Sequence, residues 1–514
     1  DTLRSAERLT LREGEGAEVL VSGGAACGVK LADGEEIFAD AVILAPGVYL
    51  NGKVIIGEYT KSSGPSGHAP ATKLTESLIA LGLPVRRFKT GTPARIYRDS
   101  IDFSAMEIQL GENTDRFSFM SEAGTFEEEP CWLTYTNART HEIIMDNIRR
   151  SPLYNGSISG IGPRYCPSIE DKIMRFRDKE RHQIFVEPEG LHSTEMYIQG
   201  MSSSLPHDVQ EAMYRTVPGL ENCRFAKYAY AIEYDCVDPT ALLPTLESKA
   251  VKNLYLAGQL NGSSGYEEAA AQGLMAGLNA SLRLEGKEPL VLARDEAYIG
   301  VLIDDLVTKG TNEPYRMMTA RAEHRIKLRQ DNADMRLTAK GYAAGLVTEE
   351  RMRRTEKKRK MIEKVLAFSS APLPRAETEE ILAARGEAPS AKPMTFGELA
   401  KRPAVRAEDV KKFLAFDCTD EALSAAVVEL KYEGYLKKQE QAVREQRRLE
   451  SRALPPDIDY DSITALRLEA RQKLNRIRPL NLGQASRISG VSPADIAVLI
   501  VWLSRARSGG NENG

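Results

Sequence analysis

The run Leu254-Tyr255-Leu256-Ala257-Gly258-Gln259-Leu260-Asn261-Gly262-Ser263-Ser264-Gly265-Tyr266-Glu267-Glu268-Ala269-Ala270-Ala271-Gln272-Gly273 compresses a strand, a glycine turn and the start of a helix into one segment. Apolar residues ending at Gly258 have the pattern of a short buried strand, and residues 266–282 carry helical periodicity. Such a unit turns backbone N–H groups and the positive end of the helix toward one point, where an anion or an electron-rich ring is accommodated. Within the helix Ala269, Gly273 and Gly277 recur every fourth position, which predicts a face of small residues that approaches a sheet closely. The architecture implied is α/β.

Upstream, Ala41-Val42-Ile43-Leu44-Ala45 is a second buried-strand pattern, closed by Pro46-Gly47. Residues 17–50 are strand territory, with hairpin-like turns at Gly23-Gly24 and Ala32-Asp33-Gly34. Between about 64 and 200, glycine and proline punctuation without long periodic helices reads as an α+β region rich in functional loops. Beyond about 290 the composition shifts to Ala, Glu, Lys, Arg and Leu with helical spacing, as in residues 349–366, 430–449 and 493–503. That third is all-helical, with 385–393 as an exposed connection and 509–514 as a frayed tail.

At 514 residues the chain exceeds one core, and about 150 residues per domain gives three. The formal net charge of -4 means that contact with nucleic acid requires a local basic patch. Cys27, Cys131, Cys166, Cys223, Cys236 and Cys418 form no C-x-x-C pair, which argues against a disulfide scaffold and a zinc site and for a reducing cytoplasm. The six histidines have no metal-ligand spacing. No segment approaches the roughly 18 apolar residues of a membrane span, and the first residues lack a signal-peptide core. The chain opens on a charged segment without an initiating methionine, as though it starts within a domain.

The string 257–273 is similar, almost residue for residue, to the second FAD motif of the MnmG (GidA) family. Three further blocks resemble that family: Lys89-Thr90-Gly91-Thr92-Pro93-Ala94-Arg95-Ile96; residues 162–176 with 181–190; and the helical stretches 310–338 and 482–503. The likeness spans nearly the whole chain. It implies an α/β flavoprotein with a two-dinucleotide-binding, glutathione-reductase-like core, an inserted α+β nucleotide-binding region and an all-helical C-terminal domain. The divisions expected are 1–90 (remainder of the FAD-binding domain), 91–225 (inserted NAD-binding and substrate region), 226–290 (return of the FAD-binding domain) and 291–514 (helical domain for tRNA and the partner). The implied activity is FAD-dependent modification of carbon five of the wobble uridine in tRNA. Methylenetetrahydrofolate supplies the one-carbon unit and glycine or ammonium the nitrogen; NADH reduces the flavin. A homodimer working with the GTPase MnmE is implied as well.

The family opens with a G-x-G-x-x-G turn that cradles the FAD pyrophosphate; no such triplet occurs before residue 50, so the core is expected to be incomplete and FAD binding poor. Ala45-Pro46-Gly47 also departs from the usual Ala-Thr-Gly of such flavoproteins, which alters a turn near the flavin.

Carried over residue by residue, the resemblance assigns Gly258 and Gln259 to cofactor contact. It matches Gly162, Pro163, Arg164, Tyr165 and Lys172 to the family's proposed nicotinamide-dinucleotide segment, where cations pair with phosphates; Asp171, Lys172 and Arg175 equally fit a solvated helix surface. Cys166 is the expected catalytic residue, because Arg164 and a helix beginning near Pro167 would lower a thiol pKa. Nucleophile toward carbon six of uridine and acid–base partner are both open to it.

The densest basic run, 351–360, holds Arg351, Arg353, Arg354, Lys357, Lys358, Arg359 and Lys360. Arg353, Arg354, Lys357 and Lys358 are the expected RNA contacts, supported by Lys437, Lys438, Arg444, Arg447 and Arg448. Ile496, Leu499 and Ile500 are the apolar face expected to meet MnmE. Two rival readings are a folate- and FAD-dependent tRNA uridine methyltransferase, disfavoured by the helical third, and a non-catalytic fragment that binds tRNA and a partner.

Overall fold

The computed structural model describes residues 3–111, 118–121, 129–165 and 167–509. Two compact units emerge: the described residues of Asp1–Pro289 with Gly310–Met317, and those of Leu290–Lys309 with Met318–Gly514.

The first unit opens with strands β1 (Gly16–Ser22), β2 (Ala25–Leu31) and β3 (Glu36–Phe38), an antiparallel sheet. Gly23 (φ 57°) and Gly24 (φ 79°) supply the two left-handed residues of the tight turn joining β1 and β2. Strand β4 (Val42–Leu44) precedes the hairpin β5 (Lys53–Ile56) and β6 (Tyr59–Ser62), helix α1 (Thr72–Ala80) and the long strand β7 (Val85–Thr92).

From β7 the chain builds a separate six-stranded sheet. Its elements are β8 (Arg95–Tyr97), β9 (Glu107–Gln109), β10 (Cys131–Tyr135), helices α2 (Ala138–Asp146) and α3 (Ile169–Arg175), β11 (Gln183–Pro188), β12 (Glu195–Gln199), α4 (His207–Tyr214) and β13 (Phe225–Lys227). The order is β13-β8-β12-β11-β10-β9, and the sheet and its helices enclose a core including Ile96, Ile144, Ile184, Val186, Met196 and Met213. Strand β14 (Tyr230–Val237) returns to pair with β7 from Tyr230↔Thr92 to Val237↔Val85, closing a sheet of order β6-β5-β14-β7. Strand β15 (Leu254–Leu256) then pairs in parallel with β4, Leu254 against Val42 and Leu256 against Leu44, and α5 (Tyr266–Leu284) follows.

The buried residues of α5 include Glu268, Gln272, Met275, Ala276 and Asn279, one step round from the small-residue stripe, with Leu278, Ala280 and Leu282 joining them toward its end. A Cβ at Gly273 or Gly277 would meet no atom within 4 Å, so those glycines do not serve the close approach their spacing predicts. Only Ala269 of that stripe is used closely, its Cβ lying 3.4 Å from where one on Gly258 would stand.

The second unit is helical. It contains α6 (Tyr298–Asp304), which runs into one π-turn at Asp305–Lys309, then α7 (Ala333–Ala343), α8 (Glu349–Ala367), α9 (Arg375–Ala384), α10 (Phe396–Ala400), α11 (Ala407–Lys411), α12 (Asp420–Glu450), α13 (Leu468–Ile477), α14 (Leu482–Arg487) and α15 (Pro493–Gly509). Two apolar cores form, one around Val365, Phe396, Leu399 and Leu423, the other around Leu474, Leu482, Leu499 and Leu503. Helix α12 starts at Asp420, capped by the Thr419 hydroxyl accepting from the Ala422 N–H, rather than near Leu430. Its first turns bury Ala422, Leu423, Ala425, Ala426 and Val427 on several sides, which erases the one-sided periodicity that sequence reading relies on. No helix among the described residues is long and apolar enough to cross a membrane.

Candidate functional site

Strands β4 and β15 end side by side in two glycine turns. Gly47 (φ 59°) and Gly258 (φ 76°) are both left-handed, a conformation that costs a side-chain-bearing residue roughly 1–2 kcal/mol. The Pro46 carbonyl accepts from the Tyr49 N–H, so the turn forms with proline in it. A Cβ on Gly47 would lie 3.6 Å from the Gln259 Oε1. Gln259 is half-buried, and its side chain has no hydrogen-bond partner among the described residues.

The turn itself is locked from α5. Gln272 Oε1 accepts from the Gly258 N–H (3.2 Å) and from Asn261 Nδ2 (2.8 Å), while Gln272 Nε2 donates to Ser263 Oγ (2.9 Å), which donates to the Gly258 carbonyl (2.8 Å). Asn261 Oδ1 is buried and unpartnered among the described residues. These positioning residues escaped the sequence reading, although all of them lie within the 257–273 string.

The N-terminus of α5 differs from expectation. Glu268 is buried in the first turn and folds over Gly265 so closely that a Cβ there would collide with its carboxylate. Glu268 Oε1 accepts from the Met317 N–H at 2.6 Å. The positive helix end is therefore covered by the chain's own carboxylate and does not present itself to a second anion. What this corner offers is the Gln259 amide, without a hydrogen-bond partner among the described residues, beside two left-handed glycine turns.

The second glycine segment runs along β7. Glu233 on β14 is 2% exposed and accepts from the Ser159 N–H (2.7 Å), the Gly160 N–H (2.6 Å) and the Ser159 hydroxyl (3.2 Å). The Lys89 N–H donates to the Ile161 carbonyl at 3.0 Å. Side chains are excluded here: a Cβ on Gly160 would stand 2.8 Å from the Phe88 backbone, and one on Gly162 would stand 2.7 Å from Lys89 Cε. Pro163 is half-buried, and Arg164 and Tyr165 are exposed. Lys172, on α3, donates to the Gly200 carbonyl at 3.4 Å. Asp171 and Arg175 pair with one another at 2.9 Å, and burial followed by the Asp171 charge pushes the Tyr154 hydroxyl up to about 12. Cys166 lies outside the described residues.

Phe88 and Lys89 link the two glycine segments. The Phe88 ring would meet a Cβ on Gly262 at 3.1 Å, while its main chain bridges to Ile161. Lys89 is 8% exposed, and its ammonium has no ion-pair or hydrogen-bond partner among the described residues. The face of the sheet that carries Lys89 also carries Arg87 and Lys53 against Glu233 and Asp235. Arg87 pairs with Asp235 at 2.9 Å, and Glu233, opposite Lys89 in register, turns one oxygen to the Ser159 and Gly160 amides and the other toward Arg87 (3.9 Å) and Lys53 (4.0 Å), so Lys89 forms no ion pair among the described residues. A buried ammonium outside ion-pair distance of a carboxylate is costly, so this position favours an incoming anion.

Of the expected RNA contacts, Arg353 and Lys357 are exposed on α8, with Lys360, and Arg354 is half-buried. Lys358 is corrected: it is 8% exposed and donates to Asp334 (2.8 Å) and Glu421 (2.6 Å), joining α7, α8 and α12. Burial opposes its charge, but the two carboxylates outweigh burial and hold its pKa above the ordinary lysine value. It falls on the inward stripe Thr355, Lys358, Ile362 and Val365, a spacing legible in the sequence. Arg447 is likewise engaged, by Asp295 at 2.7 Å, and Lys437 pairs with Glu433 at 2.7 Å. Ile496 (7% exposed) and Leu499 (0%) belong to the core of their own bundle and do not form a free face for a partner.

Family models match three segments: "Glucose inhibited division protein A" over residues 1–288, "tRNA modifying enzyme MnmG/GidA C-terminal helical domain" over 349–440 and "tRNA modifying enzyme MnmG/GidA C-terminal helical bundle" over 442–513. The tRNA uridine 5-carboxymethylaminomethyl modification enzyme MnmG of Caldicellulosiruptor saccharolyticus is 52% identical over 512 residues, covering 99% of this chain and 82% of its own length. The protein of the same name from Clostridium botulinum is 53% identical over 511 residues, covering 98% and 81%. The form II crystal structure of Aquifex aeolicus GidA superposes with a TM-score of 0.88 at 41% identity, covering 98% of this chain and 81% of that one. With relatives this similar along almost its whole length and a mixed α/β unit followed by a helical one, the chain belongs to the MnmG/GidA family.

Proposed function

We propose that this chain is an FAD-dependent enzyme that modifies carbon five of the wobble uridine in tRNA, with NADH as reductant, methylenetetrahydrofolate as one-carbon donor and glycine or ammonium as nitrogen source. The observation that carries the reading is the paired glycine turn: Gly47 and Gly258 clear the ends of two parallel strands beside a Gln259 amide that has no partner among the described residues. These residues fit a flavin ring. FAD, when bound, would supply the electron-accepting and electron-donating chemistry of the reaction.

The chain's own residues have separable tasks. Gln259 holds the edge of a planar ring by hydrogen bonding. Gln272 and Asn261 fix the turn that carries it, so that little reorganisation is needed on binding. Lys89 and the exposed Arg164 present charge for phosphate or carboxylate groups beside the Gly160 to Gly162 backbone. Glu233 holds that loop against the sheet. Gly162, Pro163, Tyr165 and Lys172 belong, in this reading, to the segment that receives NADH. Cys166 acts on carbon six of the uridine or as an acid–base partner. The two-dinucleotide-binding core, the division into 1–90, 91–225, 226–290 and 291–514, a homodimer, a complex with the GTPase MnmE and a cytoplasmic home complete the proposal. Arg353, Arg354 and Lys357 follow tRNA phosphates; Lys358 is withdrawn from that role.

The test supplies the chain with unmodified tRNA, FAD, NADH, methylenetetrahydrofolate, glycine, MnmE and GTP, and reads the wobble nucleoside by mass spectrometry. An aminomethyl-type mass increase at that uridine is expected. An unchanged nucleoside from a chain that binds both FAD and tRNA overturns the reading.

A further inference from the structure

A cavity of about 340 Å³ opens between the β5–β6 hairpin and the start of α4, lined among others by Tyr59, Lys61, Ser66, His207, Lys227 and Tyr228. That is the lower end of ligand-pocket sizes, about 300–1,000 Å³, and suits one nucleotide rather than a helix. The two walls are fixed to each other: the Gly57 N–H at the hairpin tip donates to the Ser204 carbonyl at 2.6 Å, and a Cβ on Gly57 would strike the Pro206 ring.

One wall is an aromatic column. Phe225 and Tyr228 stack with centroids 4.7 Å apart at 15°, and His207 stacks on Tyr228 at 4.0 Å and 19°. Tyr228 is held in place by its hydroxyl, which donates to Glu211 at 2.6 Å. His207, the outer ring, is exposed, so the column ends open. Tyr59 on the hairpin is 55% exposed.

The rest of the lining is cationic. Lys61, Arg95 and Lys227 contribute to it and no carboxylate among the described residues does. Arg95 and Lys227 are paired outside the cavity, with Glu189 (2.6 Å) and Glu195 (2.9 Å). Lys61 is exposed with no ion-pair partner among the described residues. An open aromatic stack rimmed by cations is how proteins hold an unstacked nucleotide of single-stranded RNA, the base continuing the stack and the phosphate meeting the cations.

The cavity is also on the relevant face of the sheet. Val54 and Tyr230 line it and pack against the cluster containing Phe88, whose ring lies against Gly262 of the proposed flavin turn.

The geometry points to this cavity as the seat of a single unstacked nucleotide of the RNA substrate, its base stacked on His207 and its phosphate drawn to Lys61. The assignment rests on the proposed tRNA activity and names where the RNA is gripped.

The test uses the full chain and a fluorescein-labelled RNA hairpin with an unpaired uridine-containing loop, read by anisotropy. His207→Ala should weaken binding by about tenfold, the order expected for loss of one base stack, and His207→Phe should restore it. Lys61→Gln should lower affinity and reduce the slope of log affinity against log salt by about 1. A 2-aminopurine in the loop should lose fluorescence on binding to wild type and regain it with His207→Ala. Should His207→Ala unfold, Lys61→Gln, an exposed substitution, decides. Unchanged affinity and salt slope in these variants overturn the proposal while leaving tRNA binding intact. Equal competition by a perfect RNA duplex overturns it too, as would competition by uridine monophosphate at the hairpin's own affinity, which would make the cavity a free-nucleotide site. A wild-type chain that binds no RNA overturns both readings.

Discussion

Two buried cations behave in opposite ways. Arg294 in the helical unit is 1% exposed and satisfied from every side: it donates to Asp305 (2.8 Å), Asp304 (3.1 Å) and Glu323 (2.8 Å), and to the Val301 carbonyl (3.3 Å). Lys89 in the α/β unit is 8% exposed and has no such partner among the described residues. A charge placed for stability brings its counter-ions with it, because desolvation otherwise costs several kcal/mol. A charge placed for a ligand is left for the ligand to neutralise. Gln259 and Asn261 Oδ1 repeat the second pattern, in the same unit as Lys89.

The comparison breaks first at Arg294. Arg294→Met removes one of the two cations, with Lys309, that neutralise Asp305, itself 1% exposed, and should cost about 3–5 kcal/mol, read as a lower denaturant midpoint for the helical unit. Burial alone would raise the Asp305 pKa, but Arg294 and Lys309 outweigh burial and hold it below the ordinary carboxylate value. A depressed folded pKa contributes stability that is complete above the unfolded value of about 3.9 and is lost as the pH falls through the folded one. The midpoint difference between wild type and Arg294→Met should therefore shrink in acid. A variant as stable as wild type at neutral pH would show that the cluster has no net stabilising role.

Lys358 sharpens the contrast within one helix. Lys358→Met leaves Asp334, 4% exposed, without its cation and should cost about 2–4 kcal/mol, less than Arg294→Met because the methionine packs on the Ile362 stripe. Replacing exposed Arg353, Lys357 and Lys360 by glutamine should move stability by no more than about 0.5 kcal/mol and weaken tRNA binding with a flatter salt dependence. Equal destabilisation by the two sets of changes, or undiminished tRNA binding by the triple variant, would remove the distinction.

Among the buried cations the smallest stability effect belongs to Lys89. Lys89→Met orphans no carboxylate and should change stability by under about 1 kcal/mol or raise it, while weakening NADH or FAD by about tenfold, the loss of one charged hydrogen bond. Titration followed by flavin or nicotinamide fluorescence reads the second part. A large drop in stability with unchanged ligand affinity would place Lys89 with Arg294 as a structural charge.

Taken alone, the amino-acid sequence determined the strand–turn–helix at 254–282, the strand closing at Pro46-Gly47, the α-helical third and the family likeness. All of these are local patterns, set by side-chain periodicity and by the few residues that tolerate left-handed backbone. What only the tertiary structure decided depends on partners far along the chain. Glu268 covers the helix end that local pattern alone would leave open, because residue 317 comes back to meet it. The spacing of Lys358 already sets it on the inward stripe, but that Asp334 and Glu421 meet it there is decided by packing, as is the inward turn of Ile496 and Leu499 into the core of their bundle. Lys89 heads the 89–96 block without any role assigned to it there, and its lack of an ion pair shows only in the packed sheet; Glu233 and the Phe225–Tyr228–His207 column carry no motif and are marked by neighbours supplied by distant strands and helices. Periodicity reports which face of an element is apolar; which charge meets which, and which is left without a partner, is settled only when the elements pack.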